Sequence, residues 1–323
     1  MTATGLATGP DLGHVKTGRA AAAMRGALWS MLSSFAPAAF GILVFMATSR
    51  VLGPAEFGIV AFAASIATFG MAVAPAGFRD ALIQRETISA RHLDAVFWLC
   101  VGAAALIYGV ILLAAGPIAA SYGEPELGLL IPFLGLRVVF DMAAAVPNGL
   151  LVRRMSFKKI AMRTAAASLV AAVGCLTLLW FGFGLWALAF SQLATSIVTC
   201  AGALIASRWR PGLSFDRKAL GDLRAFGLFS TGNHFITTVS LDQVLIGILL
   251  GPAGLGIYGF ARRIFQILTD LITGALNLVS YSLLSSMQQE RDKLRAAYLV
   301  GTFASSIIAF PSNGPRRCRW CRH

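Results

Sequence analysis

Apolar residues along this chain fall into long runs broken by short polar stretches. The runs lie near 27–49, 57–78, 95–119, 128–151, 164–182, 184–206, 225–250, 255–281 and 296–311. A bilayer core takes about 20 mostly apolar residues per helix, so the first eight runs are long enough to cross it. The ninth, at roughly 15 residues, is short for a crossing. The pattern predicts an all-α fold, a polytopic transmembrane helical protein.

Composition agrees. Of 323 residues, 57% are hydrophobic and 13% charged, with a mean hydropathy of +0.74. A soluble domain carries roughly 25% charged residues, so this chain cannot cover a globule with polar surface, and lipid must surround it. The net charge of +13 raises the question of nucleic acid, but the Lys and Arg residues sit in clusters between the apolar runs, as membrane topology requires. No nucleic-acid partner is expected.

The basic clusters also predict orientation. Lys16, Arg19 and Arg25 precede the first run. Arg79, Arg85 and Arg91 fill the second connection, Arg153, Arg154, Lys158, Lys159 and Arg163 the fourth. Arg208, Arg210, Arg217, Lys218 and Arg224 fill the sixth, and Arg291, Lys293 and Arg295 the eighth. The intervening connections hold only Arg50. Even-numbered connections and the N-terminus are therefore expected on the cytoplasmic side. Within the sixth, Trp209, Leu213, Phe215 and Leu220 alternate with basic residues, which fits either an interfacial segment on anionic lipid or a solvated linker.

Residues 312–323 read SNGPRRCRWCRH and break the alternation. The abrupt shift reads as sequence out of the native frame beyond Pro311. Cys318, Cys321 and His323 resemble half a metal site without a second ligand pair, so no metal is expected. Cys100, Cys175 and Cys200 lie in apolar runs and read as buried small hydrophobes. No cofactor is expected, nor an enzyme: there is no nucleophile elbow, phosphate-cradling Gly-rich loop or spaced metal set.

One segment occurs twice. Leu52-Gly53-Pro54-Ala55-Glu56-Phe57-Gly58-Ile59-Val60-Ala61-Phe62-Ala63 returns as Leu250-Gly251-Pro252-Ala253-Gly254-Leu255-Gly256-Ile257-Tyr258-Gly259-Phe260-Ala261, an offset of 198 residues. Gly-Pro ends one helix and starts the next in a tight turn. Six helices separate the copies, so both point the same way, which predicts two parallel lobes around an axis along the membrane normal. The expected organisation is a polar N-terminus (1–24), a six-helix lobe (25–206), a basic linker (207–224), a partial second lobe of about three helices (225–311) and the atypical tail (312–323).

Ala47-Thr48-Ser49-Arg50-Val51-Leu52-Gly53-Pro54-Ala55-Glu56-Phe57-Gly58, followed by Gly77-Phe78-Arg79-Asp80-Ala81-Leu82-Ile83-Gln84, resembles the bacterial polysaccharide-export flippase family. That family belongs to the same superfamily as the multidrug and toxin extruders. The resemblance covers roughly residues 25 to 310. It implies two six-helix lobes and movement of undecaprenyl-pyrophosphate-linked oligosaccharide across the inner membrane, for polysaccharide, exopolysaccharide or lipopolysaccharide synthesis. Lipid-linked oligosaccharide, membrane lipids and other polysaccharide-assembly proteins are the implied partners.

Ionisable residues inside spans are costly and mark candidate sites. In the eighth run Arg262, Arg263, Gln266, Asp270, Thr273 and Asn277 share about a 100° arc. The first-lobe counterparts are Ala64, Ser65, Thr68, Ala72, Pro75 and Arg79, so the stripe belongs to the second copy. Arg262 and Arg263 are the candidate pyrophosphate ligands, because planar guanidinium donors match phosphate oxygens. Compensation of Arg263 by Asp270, two turns away, is the structural alternative. Gln266, Asp270, Asn277, Asn233 and His234 are candidate cavity-lining residues. Asp242 and Asp270 are candidates for a coupling ion if burial raises their pKa. Arg137 and Asp141, spaced i,i+4, are expected to form a structural ion pair. Two other functions fit the pattern less closely: a cation-coupled drug antiporter of the same superfamily, and a membrane-embedded glycan polymerase.

Overall fold

A computed structural model describes residues 35–85, 88–212, 220–238 and 256–266, with the single positions 246, 249, 254 and 269. Asp242, Gln243, Asp270, Thr273, Asn277, the ninth run, the tail and residues 1–24 lie outside the described residues. The described residues form helices and connections, with no strand among them.

The helices are α1 (Phe35–Thr48), α2 (Pro54–Val73), α3 (Gly77–Gln84), α4 (Ala90–Tyr122), α5 (Leu127–Ala143), α6 (Ala145–Arg153), α7 (Phe157–Trp180), α8 (Leu185–Ser207), α9 (Arg224–Thr238) and α10 (256–266). Among the described residues five elements are long and apolar enough to cross a membrane: α2, α4, α5 with α6, α7 and α8. The 33 residues of α4 rise about 50 Å and outrun the hydrocarbon core.

Local chemistry sets the ends. In α2, Pro54 occupies the first turn, and Glu56 Oε2 accepts the backbone N–H of Gly53 at 2.8 Å, satisfying a donor the helix cannot. The other end is set by Pro75, which drives Ala74 to an extended conformation (φ −63°, ψ 149°). The second apolar run therefore stops short of Phe78, and the chain restarts as the separate α3. Pro147 acts likewise in the fourth run. It supplies no N–H to the carbonyl four residues back, and the crossing is divided at Ala144 into α5 and α6.

Helix α5 sits at the centre and packs against α2, α4 and α8. Leu127, Leu130, Ile131, Leu134 and Val138 form one helical face, each fully buried. The outside is equally apolar: Leu113 is 81% exposed and Leu106 75%. A surface like that belongs in lipid. Between α7 and α8 close approach rests on small residues, and a Cβ on Gly174 would lie 2.6 Å from the Phe190 ring.

Among the described residues the lobes meet near both ends of α2. On the repeat-bearing side, a Cβ on Gly256 of α10 would lie 2.1 Å from Pro54 O and 3.1 Å from Gly58 Cα of α2. One turn on, a Cβ on Gly259 would lie 3.6 Å from the Ala61 methyl. Gly58 with Gly256, and Ala61 with Gly259, are equivalent positions of the duplicated segment, so the pseudo-symmetry axis passes between them. At the other end α9 packs on α3, where a Cβ on Gly77 would lie 2.1 Å from Thr231 N.

The basic connections do more than mark topology. Arg153 Nη1 donates to the carbonyls of Leu82 and Ile83 (both 3.2 Å) and of Arg85, closing the C-terminus of α3. Arg154 Nη1 donates to Ser207 O at 2.9 Å and Lys159 Nζ to Ala206 O at 3.1 Å, closing α8. Cations at helix C-termini satisfy orphan carbonyls and complement the helix dipole. In the sixth connection, Trp209 is buried against Phe97, Gly212 N donates to Asp94 Oδ1 at 3.0 Å, and Trp98 Nε1 donates to Gly212 O at 2.8 Å. The start of that segment is thus folded onto α4, with Trp209 facing protein.

Candidate functional site

A cavity of about 440 Å³ lies where α1, α2, α7, α8 and α10 converge. Phe40, Phe45, Phe57 and Phe260 supply aromatic walls, with Phe45 and Phe260 centroids 5.0 Å apart across the lobe boundary. Ser168, Ser191, Gln192 and Thr195 line the side formed by α7 and α8. Arg263 enters from α10, and no carboxylate lines the cavity among the described residues.

The face of α10 that meets this cavity is Gly256, Gly259, Phe260 and Arg263, spaced i, i+3, i+4, i+7. Docking of the two glycines on α2 fixes that rotation, and it corrects the sequence reading in one respect. Arg263 lines the cavity; Arg262, about 100° away round the helix, does not, and neither does Gln266. Arg262 and Gln266 have interactions elsewhere. Gly41 makes room for Arg263: a Cβ there would lie 2.9 Å from Nη2. Among the described residues no hydrogen bond or ion pair holds the Arg263 guanidinium.

A second cavity, about 240 Å³, lies where α3, α5, α6, α8 and α9 approach one another and includes Arg79, Asp141, Asn148, Thr199 and His234. His234, expected in a substrate cavity, lines this smaller one. Its Nε2 lies 2.9 Å from Asp80 Oδ2. Ser230 Oγ donates to the same oxygen at 2.9 Å, and Arg79 Nε donates to Asp80 Oδ1 at 3.1 Å. Burial works against the Asp80 charge. Hydrogen bonds from His234, Ser230 and Arg79, together with the Arg79 charge, outweigh it and hold the carboxyl below its usual range. Asn233 is exposed and lines neither cavity.

Arg137 and Asp141 do not make the direct ion pair that their i,i+4 spacing predicts. Arg137 Nη1 donates to Gln192 Oε1 at 2.6 Å and its Nε to Ser196 Oγ at 3.3 Å. Helix α8 presents those oxygens directly to the guanidinium, so it turns across to α8 instead of along its own helix. Asp141 stays close enough for the two charges to interact.

No group of three or more His, Cys, Asp or Glu side chains is placed to hold a metal among the described residues. Sequence reasoning passed over the wall on α7 and α8, because Ser168, Ser191, Gln192 and Thr195 are uncharged. Their i, i+1, i+4 spacing on α8 was the available signal. The α9 partners of Asp80 were not legible either, since Ser230 and His234 lie 150 and 154 residues away.

Among the described residues, five of the ten helices close round an interlobe cavity, the arrangement of a multi-pass membrane protein on the two-lobe transporter plan. Solved structures share that plan. A MOP superfamily transporter from Pyrococcus furiosus superposes with a TM-score of 0.52 at 18% identity, over 91% of this chain and 70% of its own. A MATE transporter crystallised with MaD5 gives 0.52 at 20% identity, over 94% and 74%. At such identities the likeness is one of fold. The sequence decides the family: the profile described as "Polysaccharide biosynthesis protein" matches residues 47–313, and the chain belongs to that family.

Relatives carry related names. The succinoglycan biosynthesis transport protein ExoT of Rhizobium meliloti (strain 1021) is 27% identical over 88% of this chain and 58% of its own length. The teichuronic acid biosynthesis protein TuaB of Bacillus subtilis (strain 168) is 26% identical, over 89% and 60%. The lipopolysaccharide biosynthesis protein WzxC of Escherichia coli (strain K12) is 23% identical, over 89% and 59%. The chain thus spans about three-fifths of the length of these relatives.

Proposed function

We propose that this protein is a flippase for lipid-linked oligosaccharide in a bacterial inner membrane, with an undecaprenyl pyrophosphate anchor as the anionic group and no catalytic step of its own. The observation that carries this reading is Arg263: a guanidinium in an interlobe cavity, with no protein partner among the described residues and no carboxylate beside it. Such a group favours a phosphate over a cation. The cation-coupled antiporter would place carboxylates in the main cavity, and the glycan polymerase would need catalytic groups there. The named relatives, involved in succinoglycan, teichuronic acid and lipopolysaccharide synthesis, support glycan cargo.

In this reading the N-terminus and the basic connections lie in the cytoplasm, residues 25–206 make the first lobe and 225–311 belong to the second. The lipid-linked sugar enters from the cytoplasmic side, and the lobes tilt against each other to release it outside. The partners are the lipid-linked oligosaccharide, bilayer lipids and the membrane proteins that make and polymerise the glycan. The test is export in a host strain lacking its own exporter. Arg263→Ala abolishes surface glycan while membrane insertion stays intact. Normal export by that variant removes the pyrophosphate role.

A further inference from the structure

The polar groups of the main cavity are sorted by wall. On the α7 and α8 side each hydroxyl donates its hydrogen to its own helix: Ser168 Oγ to Thr164 O at 2.9 Å, Ser191 Oγ to Leu188 O at 2.8 Å, and Thr195 Oγ1 to Ser191 O at 2.8 Å. With its hydrogen committed, each oxygen offers the cavity only lone pairs. Gln192 is set the opposite way. Arg137 has no acceptor, so its Nη1 fixes Oε1 of Gln192 at 2.6 Å, and the Gln192 NH2 is left as the donor.

This wall therefore presents three acceptors and one oriented donor, while the cationic donor, Arg263, stands on α10. An anion gains nothing from hydroxyl oxygens whose hydrogens point away. An acyl chain offers nothing to these lone pairs or to the Gln192 NH2. A ligand bearing several adjacent hydroxyls donates to the acceptors and accepts from the amide.

We propose that the α7 and α8 wall is a subsite for the sugar portion of a lipid-linked substrate, in which Gln192 is the specificity residue and Arg137 the positioning residue that orients it. The proposal rests on the flippase reading and deepens it: Arg263 takes the anionic linkage, and the opposite wall reads the hydroxyls next to it. Arg137 acts through Gln192 and does not line the cavity.

The test is binding to the purified protein in lipid nanodiscs with two probes, farnesyl pyrophosphate and farnesyl pyrophosphate carrying a disaccharide. Wild type binds the sugar-bearing probe more tightly than the bare one. Gln192→Leu weakens the sugar-bearing probe about tenfold, the equivalent of about 1.4 kcal/mol, and leaves the bare probe unchanged. Arg137→Met reproduces that selective loss, and Thr195→Val, nearly isosteric, gives a smaller loss in the same direction. Arg263→Gln weakens both probes together.

Equal loss of both probes in Gln192→Leu, or none in either, overturns the sugar subsite. So does a wild type that gains nothing from the disaccharide, although the anion reading then stands. A sugar-dependent gain that survives Arg263→Gln with both affinities intact removes the anion reading and leaves the subsite. Failure of wild type to bind either probe overturns both.

Discussion

In the smaller cavity Arg79, Ser230 and His234 converge on Asp80, and the Arg163 guanidinium contacts Asn148. In the larger one Arg263 lies beside Gly41, and among the described residues no hydrogen bond or ion pair holds its guanidinium. Both spaces lie where the lobes approach each other and both contain arginine. In one, charge is answered by protein and holds α3 to α9; in the other, it is left for something that arrives. Charge at a lobe boundary does not by itself mark a ligand site; the state of its partners does.

The largest expected effect separates the two directly. Arg263→Gln reduces glycan export by tenfold or more with normal abundance in the membrane, whereas His234→Gln, which can still donate to Asp80, keeps most of it. Comparable loss of export in both variants erases the distinction. Next comes the backbone contact at the smaller cavity: Gly77→Val drives a side chain into Thr231 N and Ser230 C, 2.1 and 2.5 Å from the first added carbon. The expected cost is about 1–3 kcal/mol, read as a lower unfolding temperature in detergent.

Asp80→Asn comes third. It removes the charge shared by His234, Ser230 and Arg79 at a cost of about 1 kcal/mol at neutral pH. Because the folded pKa of Asp80 lies below its ordinary 3.8, its contribution is present above that value. It is lost as the pH falls through the folded pKa, so the gap to wild type closes in acid. The smallest effect belongs to Asp222, whose carboxylate is held below 3.8 by the hydrogen bond from Arg85 and, more weakly, by His92. Asp222→Asn lowers the unfolding temperature slightly at pH 7, and again the difference fades below 3.8. Thermal unfolding across pH checks both.

The membrane spans were legible because hydropathy is a local property. Runs one to eight each contain a described helix, and the duplicated segment predicted two parallel lobes, whose contact at Gly58 and Gly256 only the structure supplies. What escaped the sequence was tertiary. Pro75 lay inside an apolar run yet ended α2, and Pro147 divided α5 from α6. The arc drawn through Arg262, Arg263 and Gln266 was sound helical geometry, but the rotation of α10 is set by Gly256 and Gly259 against α2, and only Arg263 faces the cavity. Arg137 and Asp141 had ideal spacing for a pair. The oxygens that took Arg137 belong to Gln192 and Ser196, 55 and 59 residues away.

The glycine contact at the N-terminal end of α2 carries a mechanical consequence. Where two backbones touch with no side chain between them, there is no slack to slide through, and rolling about the point of contact is the motion left. From Gly58 to Val73 the helix runs about 22 Å, so a roll of roughly 10° carries its far end through about 4 Å. The lever is long, so a modest rearrangement beside Gly256 is magnified at the far end of α2, where Phe69 meets Phe235 of α9.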